Sequence, residues 1–388
     1  MGATAHALLS ASSAHRWLVC TAAPMLEATF PDTTSEYARE GTLAHEICEL
    51  KLQKYVTAMA KGTYTKKLNA LKKNELYQPE MLETSEAYLD YIKSVALSYP
   101  TAPAIAIERR VNFSDYAPDG FGTADCLLLA GDVLHIIDYK HGKGVAVDAA
   151  DNPQMMLYAL GAMHDYAMLY RFQTVKMAIV QPRIGNISEF EMSADALLDW
   201  GETVVKPKAR EALSDAGQFS PGEHCRFCRA KYACKARSEH FASFAELAQA
   251  RADPRLLTLD ELGALLHDAK LLKKWAEDLE EYALAECLEG RAVPGWKAVE
   301  GRGSRTFTDA DAAFEKLVAG GIDEAVLYER RPLTLAQTEA AIGKKLFTEL
   351  VGDMVVKPPG KPTLAPEADK RPAISNAAKA ADVFDGLS

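Results

Sequence analysis

Residues Gly120 to Ala162 read GFGTADCLLLAGDVLHIIDYKHGKGVAVDAADNPQMMLYALGA. Two apolar runs, Ala124–Ala130 and Val133–Ile137, flank the pair Gly131-Asp132, a turn signal that predicts a β-hairpin. The Leu, Ile and Val content of both runs suits buried strands. Asp125 opens the first strand, and Asp138 and Lys140 close the second. The start of one hairpin strand lies beside the end of the other, so these three polar groups are expected to converge at one end of a sheet. Two carboxylates buried together are costly unless a cation neutralises them. Hard oxygen ligands of this kind suit Mg²⁺ or Mn²⁺. Lys140, two residues past Asp138, projects to the same face of the strand.

Working outward, His141–Asp148 is a Gly-containing loop, and Asn152-Pro153 starts a helix with Pro in its first turn. Gln154 and Tyr158 lie one turn apart on that helix; the plain readings are an N-terminal cap and a core aromatic. Val175–Gln181 reads as a further buried strand, Ile187–Met192 alternates like an exposed one, and Ala194–Ala216 reads as a helix. Upstream, Ala104–Phe113 is a strand carrying Glu108 beside Arg109 and Arg110. Glu36–Ala60 and Thr84–Tyr99 show helical spacing, with Leu43, Ile47 and Leu50 on one side of the first. Strands interleaved with helices give an α/β fold with a mixed central sheet flanked by helices.

Four motifs in order, Gly41-Thr42-Leu43-Ala44-His45, Gly122–Asp125, Asp138-Tyr139-Lys140 and Gln154–Tyr158, resemble the PD-(D/E)xK nuclease superfamily. The resemblance is to its RecB-like branch of iron–sulfur exonucleases, with CRISPR-adaptation-type and phage-associated members, and it runs from about Ser10 to Arg237. It implies a restriction-endonuclease-like core. It also implies that His45, Asp125, Asp138 and the Tyr139 carbonyl hold Mg²⁺ or Mn²⁺, with Lys140 positioning an attacking water. Gln154 would orient that water or a phosphate oxygen, and Tyr158 would hydrogen-bond a DNA backbone. Glu108 is then either a further carboxylate near the metals or half of a salt bridge at a strand edge.

Cys225, Cys228 and Cys234 fall within ten residues, a spacing that can fold around one metal centre. The fourth ligand is missing locally. The resemblance supplies Cys20 and a [4Fe–4S] cluster stapling the N-terminal segment to the end of the nuclease region; zinc, with His224 or His240 as fourth ligand, is the alternative. Cys48, Cys126 and Cys287 read as packed thiols. The chain carries a formal net charge of −10, so any nucleic-acid contact must come from local basic patches. One candidate is the set Lys206, Lys208, Arg210, Arg226, Arg229, Lys231, Lys235 and Arg237, a positive island. Another is Lys61–Lys73, with five lysines and no acid, read as a loop or helix end that is either a solvated connector or a phosphate-contacting patch.

No apolar run reaches the length of a membrane span and the N-terminus has no signal-peptide pattern, so a cytoplasmic protein of a bacterial host cell is expected. Residues 1–240 are expected to form the nuclease domain, 241–356 a mostly helical module, and 357–388 an extended Pro- and Ala-rich tail. Within the module, Leu256–Leu288 reads as a helical hairpin or short coiled coil, Trp296–Phe307 as a small β-hairpin, and Asp309–Val318 and Leu335–Leu350 as short helices. Phe384 and Leu387 are candidates for docking a single-strand annealing recombinase. Together these readings give a metal-dependent DNA exonuclease of phage or prophage recombination, with a homo-oligomer open. The alternative is a non-catalytic DNA-binding or assembly subunit that keeps the nuclease fold.

Overall fold

The computed structural model describes residues 7–31, 35–241, 258–299, 309–321, 323, 327, 335, 338, 343–351 and 354–355. The elements in chain order are α1 (Ala14–Trp17), α2 (Ala23–Glu27), α3 (Glu36–Val56), α4 (Lys61–Leu71), α5 (Glu80–Ser98), β1 (Ala104–Asn112), β2 (Phe121–Ala130), β3 (Val133–Tyr139), α6 (Pro153–Tyr166), β4 (Thr174–Gln181), β5 (Asn186–Ser193), α7 (Ala194–Trp200), α8 (Lys206–Ala212), α9 (Leu259–Leu288), α10 (Ala310–Ala319) and α11 (Lys344–Val351). The five strands form one mixed sheet in the order β1-β2-β3-β4-β5. The β3–β4 pair is parallel and bridged by α6; the other pairs are antiparallel.

Side-chain alternation explains why the central strands are apolar throughout. Leu127, Leu129, Leu134, Ile136, Met177 and Ile179 enter one core with α6, α7, α8 and the N-terminal residues Leu9, Ala14 and Trp17. Cys126, Leu128, Ile137, Tyr139, Ala178 and Val180 enter the other, beneath α3 and α5. A strand covered on both faces has no polar side to show. The hairpin turns at Gly131, whose φ of +61° favours glycine.

The helices begin where their caps allow. Ser35 accepts a hydrogen bond from the Ala38 amide at 3.2 Å and starts α3. Asn152 accepts from the amides of Gln154 and Met155 and starts α6. Because Asn152 supplies the cap, the Gln154 side chain is free for other partners.

Several elements differ from expectation. Lys61–Leu71 is a helix rather than a loop, because Tyr64, Leu68 and Leu71 share one face and are its half-buried residues. The helix expected over Ala194–Ala216 widens into a π-helical turn at Gly201–Val205 and ends at Ala212. Pro207 cannot donate to the carbonyl four residues back, and its ring crowds that turn. Leu259–Leu288 is one helix of 30 residues, which excludes the helical hairpin among its two readings.

The chain divides into two compact units, Met1–Val299 and Glu300–Ser388. The first runs past the expected boundary at 240 because α9 is anchored to the cysteine-bearing loop. Asp278 on α9 is fully buried and pairs with Lys231 at 2.9 Å and Arg237 at 2.8 Å, while Tyr282 stacks on Tyr232. In the second unit, α10 is capped by Asp309, which accepts from the Ala312 amide. The expected hairpin reaches beyond residue 299 and the expected tail begins at 357; residues 300–307 and 357–388 lie outside the described residues.

Candidate functional site

Cross-strand register builds the site. The last β2–β3 pair is Cys126 with Ile137, so one step on Asp125 faces Asp138. On the other side Ile107 pairs with Cys126 and Arg109 with Ala124, so Glu108 faces Asp125. Three carboxylates therefore stand in a row across three neighbouring strands. Like charges directly opposite one another destabilise a sheet, and neither of these two positions is a ladder pair. The Tyr139 amide donates to Asp125 Oδ2 at 2.7 Å. Glu108 has φ +45° within a strand, a conformation that costs energy for a residue with a Cβ and that clusters at functional sites.

The cationic groups arrive from three directions. His45, on the third turn of α3, brings Nδ1 to 3.3 Å from Asp125 Oδ1, and its ring sits edge-on to Tyr139. Lys140 Nζ lies 3.0 Å from the buried Asp138 Oδ2 and pairs with it. Lys140 also donates to Gln154 Oε1 at 3.2 Å, and Gln154 Nε2 donates to the Tyr158 hydroxyl at 2.9 Å. Tyr158 fits because residue 122 is glycine: a Cβ there would lie 2.5 Å from the Tyr158 ring.

Ligand atoms of His45, Glu108 and Asp125 all lie within 4.8 Å of one another, the one such group among the described residues. Burial raises the Glu108 carboxyl to about 8, helped by the neighbouring Asp125 charge. Burial and Asp125 also raise Asp138. Asp125 is held low although burial opposes its charge, because His45, Lys140 and the Tyr139 amide favour the anion. Burial works against the His45 cation too, yet Asp125 and Asp138 raise it to about 9. The row sets three carboxylates against two cationic side chains and keeps a proton on Glu108 below about pH 8; a hard divalent cation would offset the charge that this proton masks.

The row opens into a cleft of about 1170 Å³, walled by Gly41, Thr42, Glu108, Thr123, Lys140 and Lys143 among others. A second network props one wall. Arg183 pairs with Glu40 and Glu80, both at 2.9 Å, and His141 Nε2 lies 3.1 Å from Glu40. The Tyr139 hydroxyl meets Thr84 and His141 Nδ1, each at 2.9 Å, so that ring is structural and only its backbone reaches the carboxylates. This network was not foreseen from sequence.

The sequence-singled residues His45, Asp125, Asp138, Lys140, Gln154 and Tyr158 are thus brought together. Glu108, left between two readings by the sequence, joins the carboxylate row and makes no ion pair among the described residues.

Elsewhere, Cys20 is carried to the Cys225 loop across the sequence. The Ala22 amide donates to the Gln218 carbonyl and the Gln218 amide to Thr21 Oγ1. Glu27 accepts the Arg229 amide at 2.8 Å. Burial raises the Cys20 thiol, with the charges of Cys225 and Cys234 adding to it. Burial likewise raises Cys225, to which Cys234 contributes, and lifts Cys228 to about 12, with smaller contributions from Glu27 and Cys225. The four thiols thus lie within electrostatic reach of one another, although no three close to 4.8 Å. The positive island of 206–237 is largely neutralised: Lys206 pairs with Glu202, Lys208 with Glu211, Lys235 with Glu239, and Lys231 and Arg237 with Asp278. Five of its eight cations are thus paired, two of them with the buried Asp278, so the island offers less free charge than its sequence suggests.

Fold and site define an α/β protein in which a row of carboxylates opens into a cleft at one end of a mixed sheet. The chain belongs to the family described as "Protein of unknown function (DUF2800)", which matches residues 6–372. A solved structure entitled "Crystal structure of SSO0001" is similar at 13% identity, covering 50% of this chain and 85% of that one with a TM-score of 0.23, a likeness too loose to carry an argument. No described helix is long and apolar enough to cross a membrane.

Proposed function

We propose that the protein is a divalent-metal-dependent deoxyribonuclease, an exonuclease of RecB-like type acting in phage or prophage recombination. The observation that carries the reading is the carboxylate row with a lysine at its end: Glu108, Asp125 and Asp138 in register, and Lys140 at 3.0 Å. His45, Asp125, Asp138 and the Tyr139 carbonyl, with Glu108 added by the geometry, would hold Mg²⁺ or Mn²⁺. A hard cation there supplies a water of lowered pKa and offsets charge on a phosphate. The close approach of His45, Glu108 and Asp125 and the raised Glu108 and Asp138 carboxyls fit such an ion.

The chain's own groups do the rest. Lys140 keeps its proton, because Asp138 and Asp125 outweigh the burial that opposes its charge, so it can donate to a water or to a phosphate oxygen as charge develops. Gln154 fixes the Lys140 ammonium from the helix side, and Tyr158 fixes Gln154. His45, as a neutral ligand, must give up the proton it shares with Asp125, so metal uptake and proton release are coupled.

Cys20, Cys225, Cys228 and Cys234 would carry a [4Fe–4S] cluster. The preference for a cluster over zinc follows from the resemblance of the cysteine set Cys20, Cys225, Cys228 and Cys234. Its role would be to staple the N-terminal segment to the 218–234 loop.

The test is anaerobic incubation of end-labelled linear DNA with Mn²⁺, with EDTA as control. Cleavage stopped by EDTA and lost in Asp138→Ala supports the reading. Binding without cleavage would favour a scaffold subunit, and equal cleavage by Asp138→Ala would sink the site assignment.

A further inference from the structure

We infer that α4 and the turn after it form a phosphate-backbone track that leads a nucleic-acid strand to the cleft; this rests on the nuclease reading and names the path of its substrate. Residues 61–74 hold Lys61, Lys66, Lys67, Lys72 and Lys73 and no acid, in a chain whose formal charge is −10. The helix seats itself with Tyr64, Leu68 and Leu71, while Lys61, Lys66, Lys67 and Lys73 are exposed. Their neighbours on the outer surface, Thr63, Thr65 and Asn69, are small and uncharged.

The contrast with the other basic segment carries the inference. In 206–237, five of the cations are bound by carboxylates of the fold. None of the five lysines in 61–73 is in an ion pair among the described residues; the nearest feature is Lys54 over the Tyr64 ring, which adds a further cation at 4.8 Å. Ten other lysines of the described chain have found carboxylates, among them Lys51, Lys93, Lys143 and Lys176. An unneutralised cluster on an acidic protein is a local field suited to a polyanion.

Position completes the argument. α4 packs along α3, and the groove between them is lined by Glu46, the residue after His45, and Glu49 on the α3 side and by Lys67 and Leu71 on the α4 side, so the track would run along the outer, lysine-bearing face. After Lys73 the chain returns along α3: Glu75 meets Arg39 at 3.6 Å, and Gln78 is part of the cleft wall. At about 1.5 Å per residue the 11-residue helix is about 16 Å long, or roughly five base pairs at about 3.4 Å each. It can therefore hold several consecutive phosphates of a strand whose end lies in the cleft.

The experiment is fluorescence anisotropy with a labelled oligonucleotide, single-stranded and duplex, titrated at several salt concentrations in EDTA so that no cleavage intervenes. The full chain is compared with Lys61→Gln/Lys66→Gln/Lys67→Gln/Lys73→Gln and with a control, Lys206→Gln/Lys208→Gln/Lys235→Gln, both checked by circular dichroism. Each lost phosphate contact lowers the slope of log K against log salt by about 0.9 on duplex and about 0.7 on single strands. The α4 variant is expected to lose a slope of roughly 2 or more and to bind at least tenfold more weakly near physiological salt, with the control unchanged. If the parent binds DNA and the α4 variant binds it with the same slope, the track is wrong and the nuclease reading stands. If the parent binds neither oligonucleotide, both fall. Displacement of DNA by polyglutamate of equal charge would overturn the assignment to nucleic acid in favour of an acidic protein.

Discussion

Replacing Glu108 by Gln is expected to stabilise the metal-free protein, and to do so only at neutral and alkaline pH. Burial and the Asp125 charge raise the Glu108 carboxyl to about 8 from an ordinary value of 4.5. The folded state therefore holds a proton that the unfolded chain releases, and stability falls as pH rises from about 4.5 to 8. Moving that carboxyl from 4.5 to about 8 corresponds to about 5 kcal/mol at about 1.36 kcal/mol per pH unit. Glu108 is partly exposed, so solvent screening reduces this to roughly 2 kcal/mol. Gln keeps the size and removes the charge. In EDTA at pH 8.5, Glu108→Gln should melt roughly 4–8 °C above the parent, and at pH 5 the two should coincide. His45, raised to about 9, also loses stability with rising pH, but in both proteins, so the difference isolates Glu108. Added Mn²⁺ should stabilise the parent by about 2.7 kcal/mol at a hundredfold excess over its Kd, and the variant by less. Equal melting at pH 8.5 in EDTA would refute the claim that the row carries uncompensated charge.

Three further outcomes follow from other parts of the fold. His135 is held neutral by burial and by Lys176, with its pKa lowered to about 4 from 6.5; the unfolded chain takes up a proton first, so stability is lost as pH falls from about 6.5 to 4, and urea midpoints of His135→Gln should be flatter over that window. Gly122→Ala drives a Cβ into the Tyr158 ring; a loss of about 1–3 kcal/mol by urea unfolding is expected, with cleavage reduced further than stability. Asp278→Ala leaves the buried Arg237 and Lys231 unpaired and should cost about 3–5 kcal/mol in the first compact unit. Asp278→Asn, which keeps the shape, should still lose most of that, and an unchanged unfolding curve for both variants would remove the ion pair as the anchor of α9.

How much of this could be read from sequence depended on how local the cause was. The turn at Gly131-Asp132 sets the β2–β3 register within a few residues, so the meeting of Asp125 with Asp138 followed directly. Glu108 was harder. Residues 113–120 separate β1 from β2, which leaves the register open, and a strand glutamate at φ +45° has no sequence signature. The helix α4 was missed because two turns marked by Tyr64, Leu68 and Leu71 are a weak pattern among lysines and threonines. Leucine spacing in 259–288 could not distinguish a hairpin from one helix, since both bury one stripe. The neutralisation of the 206–237 island lay beyond local reading altogether: Asp278, which binds Lys231 and Arg237, is 41 or more residues away.

The claim on which the account turns is that three cross-strand carboxylates and His45 share a cation. Calorimetric titration of Mn²⁺ into the metal-free chain, in two buffers of different ionisation enthalpy, measures binding and proton release together. The parent should bind Mn²⁺ with release of protons, and Asp125→Asn, still folded by circular dichroism, should not bind at the same concentrations. Binding of equal strength in Asp125→Asn would contradict the account.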